Sequence, residues 1–405
     1  MQRVVERYKN GNIVLQIIVG MIAGVVLALI SKDLALSAGI LGGLFTGALK
    51  AIAPILIFIL VIVAIATKPK NVQSNIKPIL FMYIIGMLLA ALFAVMIFYA
   101  FPTKLVLSGI DAATGSSATD IREVLRSVLF KMVDNPVNAL ASGNFIGVLT
   151  WGVGIGIALY FSSSSTTKEF LVDANSAALS LVRFIIRLAP FGIFGITAQV
   201  FAETGVDALL SYVKILGLLV SSMLFTYFVI NPVIMFMASR RNPYPVVFKT
   251  LAHSAIFAFF TRSSAANTPV NLELCKKMGL DPNTYTVSIP LGTAINMSGA
   301  AITITIFTLA TAYTVGVDIG FGSALLLCVI SALAACGVSG VAGGSLMLIP
   351  LACGLFNISN DIAMQVVAIG FMIGVIQDSV ETALNSATDV MFTAAVSKIK
   401  PNLDF

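Results

Sequence analysis

An all-α membrane protein is the fold class this sequence predicts, on three observations: its composition, the length of its apolar runs and the placement of its basic residues. Hydrophobic residues make up 58% of the 405 and charged residues only 10%, with a mean hydropathy of +1.01. Soluble domains carry about 25% charged residues. Apolar runs near 12–31, 37–66, 78–101, 144–161, 177–200 and 209–238 can each cross a hydrocarbon core of about 30 Å as a helix of about 20 residues. The first run is too long for a signal peptide and lacks a small-residue cleavage site, so it reads as a retained span. Lysine and arginine cluster at Arg3, Arg7 and Lys9, at Lys68, Lys70 and Lys77, at Arg240, Arg241 and Lys249, at Lys276 and Lys277, and at Lys398 and Lys400. By the positive-inside rule these clusters are cytoplasmic, which puts both termini inside and requires an even number of spans. The net charge of +6 is then a matter of topology and not of nucleic-acid binding.

After residue 250 the apolar segments carry polar interruptions. Segment 251–269 holds Arg262, Ser263, Ser264, Asn267 and Pro269 where a span should be most apolar. Segment 323–357 is too long for one span, and GVSGVAGG (337–344) divides it into halves of about 14 and 12 residues, the lengths of re-entrant helices. Both read as helical hairpins, and a hairpin also keeps Arg240, Arg241, Lys276 and Lys277 on one side of the membrane. Non-helical backbone at membrane depth survives only when buried in protein or lining a cavity, so the tips, 261–267 and 337–345, are expected to meet at a binding site. Helix ends there offer amides to anions and carbonyls to cations. In IPLGTAINMSGAAITITIF (289–307), Pro290, Gly292 and Gly299 bracket Asn296, Met297 and Ser298. A helix break there frees carbonyls that suit a hard monovalent cation such as sodium; a simple kink is the alternative.

In the last apolar segment, Asp378, Glu381, Thr382, Asn385 and Asp389 fall within a helical stripe roughly 100° wide. Val380, Ala383, Leu384, Ala387, Val390 and Met391 form the opposite face. Carboxylates at membrane depth are costly unless they face protein or a wet cavity, so the stripe reads as the substrate and ion path. Asp378 and Asp389 are eleven residues apart. That is about 16 Å along a helix, too far to share one small ion, and two sites follow. Cys275, Cys328, Cys336 and Cys353 lack CxxC spacing, so neither a disulfide framework nor a zinc site is indicated. With one histidine, His253, and no GxSxG, the chain does not read as an enzyme. No phosphate loop is visible, so an ion gradient is the expected driving force. A gated ion channel is the competing class, since polar tips at mid-membrane could also form a pore.

TRSSAANTPV (261–270), PLGTAINMSG (290–299), GVSGVAGG (337–344) and QDSVETALNSATD (377–389) occur in an order and spacing similar to those of the dicarboxylate/amino-acid:cation symporter family. The chain resembles this family, the glutamate-transporter fold, along nearly its whole length, and within it the sodium-coupled serine/threonine symporters. The resemblance implies eight transmembrane helices plus two re-entrant hairpins in a homotrimer surrounded by membrane lipid, with transport (elevator) domains sliding against a scaffold. Scaffold helices 1–2 would be 10–66 and helices 4–5 would be 118–200. The transport domain would take helix 3 (75–101) and 205–396: helix 6, a hairpin at 246–270, a broken helix at 284–312, a hairpin at 322–357 and a last helix at 362–396.

By the family pattern Asp378 binds the substrate's α-amino group. Asn385 binds the α-carboxylate with hairpin amides around Ser263 and Ser264, and Thr382, Val341 and Gly343 line the pocket. Asp389 is a sodium ligand with the carbonyls of Gly292, Asn296 and Asn385; a second cation site uses the Ala294 carbonyl, Met297 and the glycine-rich hairpin. Acidic-substrate members carry an arginine where this chain has Glu381. Two like charges at 4 Å cost roughly 4 kcal/mol even at an effective dielectric of about 20, so a neutral substrate, L-serine or L-threonine, is expected. Arg262 is expected to neutralise Glu381 or Asp378. A further family cation site is expected to be missing, because Ser298 replaces its aspartate and the third helix offers Gly86 and Met87. Sodium-driven import across a bacterial inner membrane is the function implied; proton- or sodium-coupled dicarboxylate symport is the alternative.

Overall fold

The computed structural model describes residues 13–67, 76–107, 121–205, 207–337 and 343–397, and among them every regular element is helical. The chain opens with α1 (Ile13–Ile30) and α2 (Lys32–Ala66). The Ser31 hydroxyl caps α2 by accepting from the Leu34 amide at 3.4 Å, so this helix starts ahead of its apolar run. There follow α3 (Lys77–Ala100), α4 (Ile121–Met132), α5 (Pro136–Ser142), α6 (Phe145–Ser162), α7 (Ser165–Arg187) and α8 (Ala189–Thr204). The apolar run 177–200 is therefore not one helix: α7 and α8 meet at Leu188 with a bend of 47°. Pro190 is the cause, since it has no N–H for the ladder and its ring crowds the carbonyl four residues back.

Small residues bring the first helices together. Gly24 of α1 lies against the Phe194 carbonyl and Ala198 amide of α8, and a Cβ at Gly195 would meet the Gly42 amide of α2 at 2.8 Å. Such close backbone approach is how helices associate in lipid, where hydrophobicity does not distinguish neighbour from solvent. On the other side of α2, Gly152 of α6 packs on Val61, while Ala178 and Val182 of α7 pack around Leu56.

The second half is built around one helix. α9 (Asp207–Phe225) passes through a π-helical turn, Thr226–Ile230, into α10 (Asn231–Ser239). The wider turn accommodates Pro232, and the Phe228 carbonyl four residues before it accepts instead from the Tyr244 hydroxyl at 3.3 Å. α11 (Tyr244–Thr250), a second π turn (Leu251–Ala255) and α12 (Ile256–Thr261) lead to Arg262, which turns left-handed at φ 51° and reverses the chain into α13 (Ser264–Lys277). Asn296 and Met297, both outside helical geometry, separate α14 (Pro282–Ile295) from α15 (Ser298–Val315). α16 (Phe321–Ala335) is followed by a return arm, Leu346–Phe356, that contains α17 (Ile349–Cys353). The last helix, α18 (Asn360–Val396), has 37 residues and touches α9 to α15 and α17. Six of these helices or continuous pairs are long and apolar enough to cross a membrane, and the bent α7–α8 pair makes a seventh.

Candidate functional site

The polar stripe of α18 points inward: Asp378, Glu381, Thr382, Asn385 and Asp389 are all buried, none more than 7% exposed. Two chain reversals and one helix break converge on it.

At its upper end, Arg262 donates through Nε to Asp378 Oδ2 at 2.7 Å. The left-handed turn before α13 aims the guanidinium across, so of the two pairings open to Arg262 the structure contains the one with Asp378. The Gly343 amide donates to Asp378 Oδ1 at 3.2 Å. Gly343 itself has φ +73° and lies against the Phe371 ring, a position a side chain would not fit. Ser263 caps α13 by accepting from the Ala266 amide at 3.2 Å, and Ser264 beside it is buried. The Thr382 hydroxyl donates back to the Asp378 carbonyl at 2.7 Å. Val341 lies outside the described residues.

Glu381 is held by three donors. Its Oε2 accepts from Thr303 Oγ1 of α15 at 2.7 Å, from Ser345 Oγ of the second hairpin at 2.9 Å and from Gln377 Nε2 at 2.5 Å. Neutral donors enclose it, and among the described residues it makes no ion pair.

One to two turns further on, Asn385 Oδ1 accepts from the Gly299 amide at 2.7 Å, while among the described residues its Nδ2 has just the Met297 sulfur as hydrogen-bond partner, at 3.5 Å. A thioether is a weak acceptor, which leaves that amide N–H free to serve a stronger one. Asn296 donates to Asp389 Oδ1 at 2.8 Å and to the Asn385 carbonyl at 3.2 Å. Asp389 Oδ2, Asn296 Oδ1 and Ser298 Oγ are buried with no hydrogen-bond partner among the described residues. Gly292 leaves room for this cluster: a Cβ there would crowd Asp389 Oδ1 and sit 2.6 Å from the Tyr83 hydroxyl. Ala294, two residues from Gly292 on α14, is exposed. A Cβ at Gly86 would meet the Phe392 ring at 3.2 Å, and Met87 is buried. The cluster offers a carboxylate and carbonyl-type oxygens, the donor set a hard cation takes.

Sequence reasoning missed the groups that hold this site together. Asn267 Nδ2 donates to Ser254 Oγ at 2.9 Å and to Ser386 Oγ at 2.7 Å, and Asn271 Nδ2 donates to the Ser386 carbonyl at 2.9 Å. The Ser254 hydroxyl completes the seam by donating to Asn271 Oδ1 at 2.6 Å. The seam ties both arms of the first hairpin to α18. Asn267 and Asn271 are four residues apart, a helical-face signal that was readable.

Fold and site together define a class: a multi-pass α-helical membrane protein whose polar groups meet in a buried interior. The chain matches the family model described as the sodium:dicarboxylate symporter family over residues 13–399, and it belongs to that family. It is 55% identical over 401 residues to the serine/threonine transporter SstT of Campylobacter jejuni subsp. jejuni serotype O:23/36 (strain 81-176), covering 99% of this chain and 98% of that protein. The protein of the same name in Campylobacter jejuni strain RM1221 is 54% identical over the same coverage.

Proposed function

We propose that this chain is a sodium-driven symporter that imports small neutral amino acids, serine and threonine, and performs no enzymatic reaction. The observation that carries the reading is Glu381, a carboxylate among neutral donors at the position where acidic-substrate relatives have an arginine. A dicarboxylate would find no cation there to receive its second acid group. The full-length relatives bearing the name serine/threonine transporter support the same substrate class.

In this reading the substrate ammonium takes Asp378, displacing or sharing it with the Arg262 guanidinium that now occupies it. The α-carboxylate takes Asn385 Nδ2 and the amides around Ser263 and Ser264, with Thr382, Val341 and Gly343 around it. Sodium is held by Asp389 with the carbonyls of Gly292, Asn296 and Asn385, and a second ion by the Ala294 carbonyl, Met297 and the glycine-rich hairpin. The unpartnered Asp389 Oδ2 and Asn296 Oδ1 support the first of these. Without the aspartate at Ser298, fewer than three sodium ions accompany each substrate. The chain forms eight spans and two hairpins in a bacterial inner membrane with both termini cytoplasmic, as one protomer of a homotrimer. Scaffold segments are 10–66 and 118–200; 75–101 and 205–396 move as an elevator.

Uptake of labelled serine into proteoliposomes, with and without an imposed sodium gradient, tests this. Sodium-dependent uptake blocked by threonine and indifferent to aspartate is expected. Uptake that ignores sodium, or that aspartate blocks, would overturn it.

A further inference from the structure

Resting on the transport reading, we infer that Glu381 is a positioning residue: it anchors the second hairpin to the last helix while Asp378 exchanges partners. Two carboxylates one helical turn apart on α18 hold the hairpin segment that follows the glycine-rich tip. Asp378 Oδ1 receives the Gly343 amide at 3.2 Å, and Glu381 Oε2 receives the Ser345 hydroxyl at 2.9 Å. Asp378 is also bound to Arg262, and in the transport cycle it must turn to an incoming ammonium, so its hold on the hairpin varies with occupancy.

Glu381 has no such conflict. Thr303 and Gln377, both fully buried, fix its Oε2 from two other directions, and Gln377 Nε2 also donates to Thr303 Oγ1 at 2.8 Å. Three donors converge on that one oxygen, which serves as their common acceptor. Gly299 seals the carboxylate from behind, since a Cβ there would approach Glu381 Cγ to 2.9 Å. The carboxylate thus connects three elements, α15, α18 and the hairpin, at one atom. The hairpin keeps its register on α18 when Gly343 is released.

The test uses full-length protein in which Cys275, Cys328, Cys336 and Cys353 are replaced by alanine and Gly344→Cys reports hairpin opening by its maleimide labelling rate. Labelling is measured in sodium alone and in sodium with serine, beside serine uptake kinetics. Ser345→Ala and Glu381→Ala are expected to raise the labelling rate and the KM for serine by about tenfold, with a Vmax change of about twofold or less. Glu381→Gln retains an acceptor oxygen for Ser345 and is expected to stay within about threefold of the parent in both readouts. Should Glu381→Ala fail to fold, Ser345→Ala carries the test, because it removes one hydroxyl. Unchanged labelling and KM in Ser345→Ala would overturn the anchor, as would a Glu381→Gln variant that gains aspartate uptake while Ser345→Ala stays silent, the mark of a purely electrostatic role. Failure of the parent protein to take up serine would instead overturn the transport reading, and the labelling in sodium alone would still decide the anchor.

Discussion

Asp389 has two unlike oxygens, one receiving the Asn296 amide at 2.8 Å and one buried without a partner. A buried charge left half-satisfied is costly, and a bound cation removes the cost. Asp389→Asn is expected to raise the sodium concentration for half-maximal serine uptake by about tenfold or more, equivalent to ~1.4 kcal/mol. A sodium titration of uptake checks this, and an unchanged midpoint would move the ion elsewhere. Asp378→Asn is expected to abolish serine uptake while the size-exclusion profile of the purified protein stays that of the parent; normal uptake would mean that the amine binds at another residue. The stripe holding both aspartates was legible in the sequence because five polar residues at helical spacing stand out against an apolar background. The surroundings of Glu381 were not legible. Ser345 and Thr303 lie 36 and 78 residues away along the chain, and only the folded hairpin and the helix break bring their hydroxyls to one oxygen.

At the scale of elements, the glycines of α1, α2 and α8 set how closely three backbones approach. Gly195→Leu would drive a side chain into the Ala38 carbonyl and the Gly42 amide. Overpacking of this kind costs about 1–3 kcal/mol, so a lowered melting temperature in detergent is expected. Gly217 of α9 has open space around its Cβ position, and Gly217→Ala is expected to leave the melting temperature unchanged or slightly raised. Equal melting temperatures for both variants would deny the glycines this role. Element positions were read well where hydropathy alone decides, as for α3 and α6. The bend between α7 and α8 was hidden because the run around Pro190 stays apolar on average despite Arg183 and Arg187, and hydropathy does not register the loss of one N–H. The π turns left no sequence signal except Pro232, whose accommodation depends on Tyr244 reaching over from the next helix.

For the whole molecule, the end of the second hairpin and the first turn of α18 are fastened to three parts of the proposed scaffold. Lys131 Nζ of α4 donates to the Gly354 carbonyl at 2.6 Å and to Asn357 Oδ1 at 2.8 Å, Asn360 donates to the Gly143 carbonyl at 3.1 Å, and Lys50 of α2 pairs with Asp361 at 2.5 Å. An elevator motion has to undo all of these at once. Cysteines at 131 and 357, in protein lacking the native four, are therefore expected to arrest uptake when cross-linked and to restore it on reduction. Full uptake with the cross-link intact would mean that this segment and α4 travel together.

The amide-and-hydroxyl stitching between the first hairpin and α18 carries a mechanical implication. Peeling that hairpin away would strand the side chains of Asn267, Asn271, Ser254 and Ser386 in a water-poor interior, at about 1–3 kcal/mol for each unsatisfied group. Within the proposed transport domain it is therefore the more firmly fastened of the two hairpins.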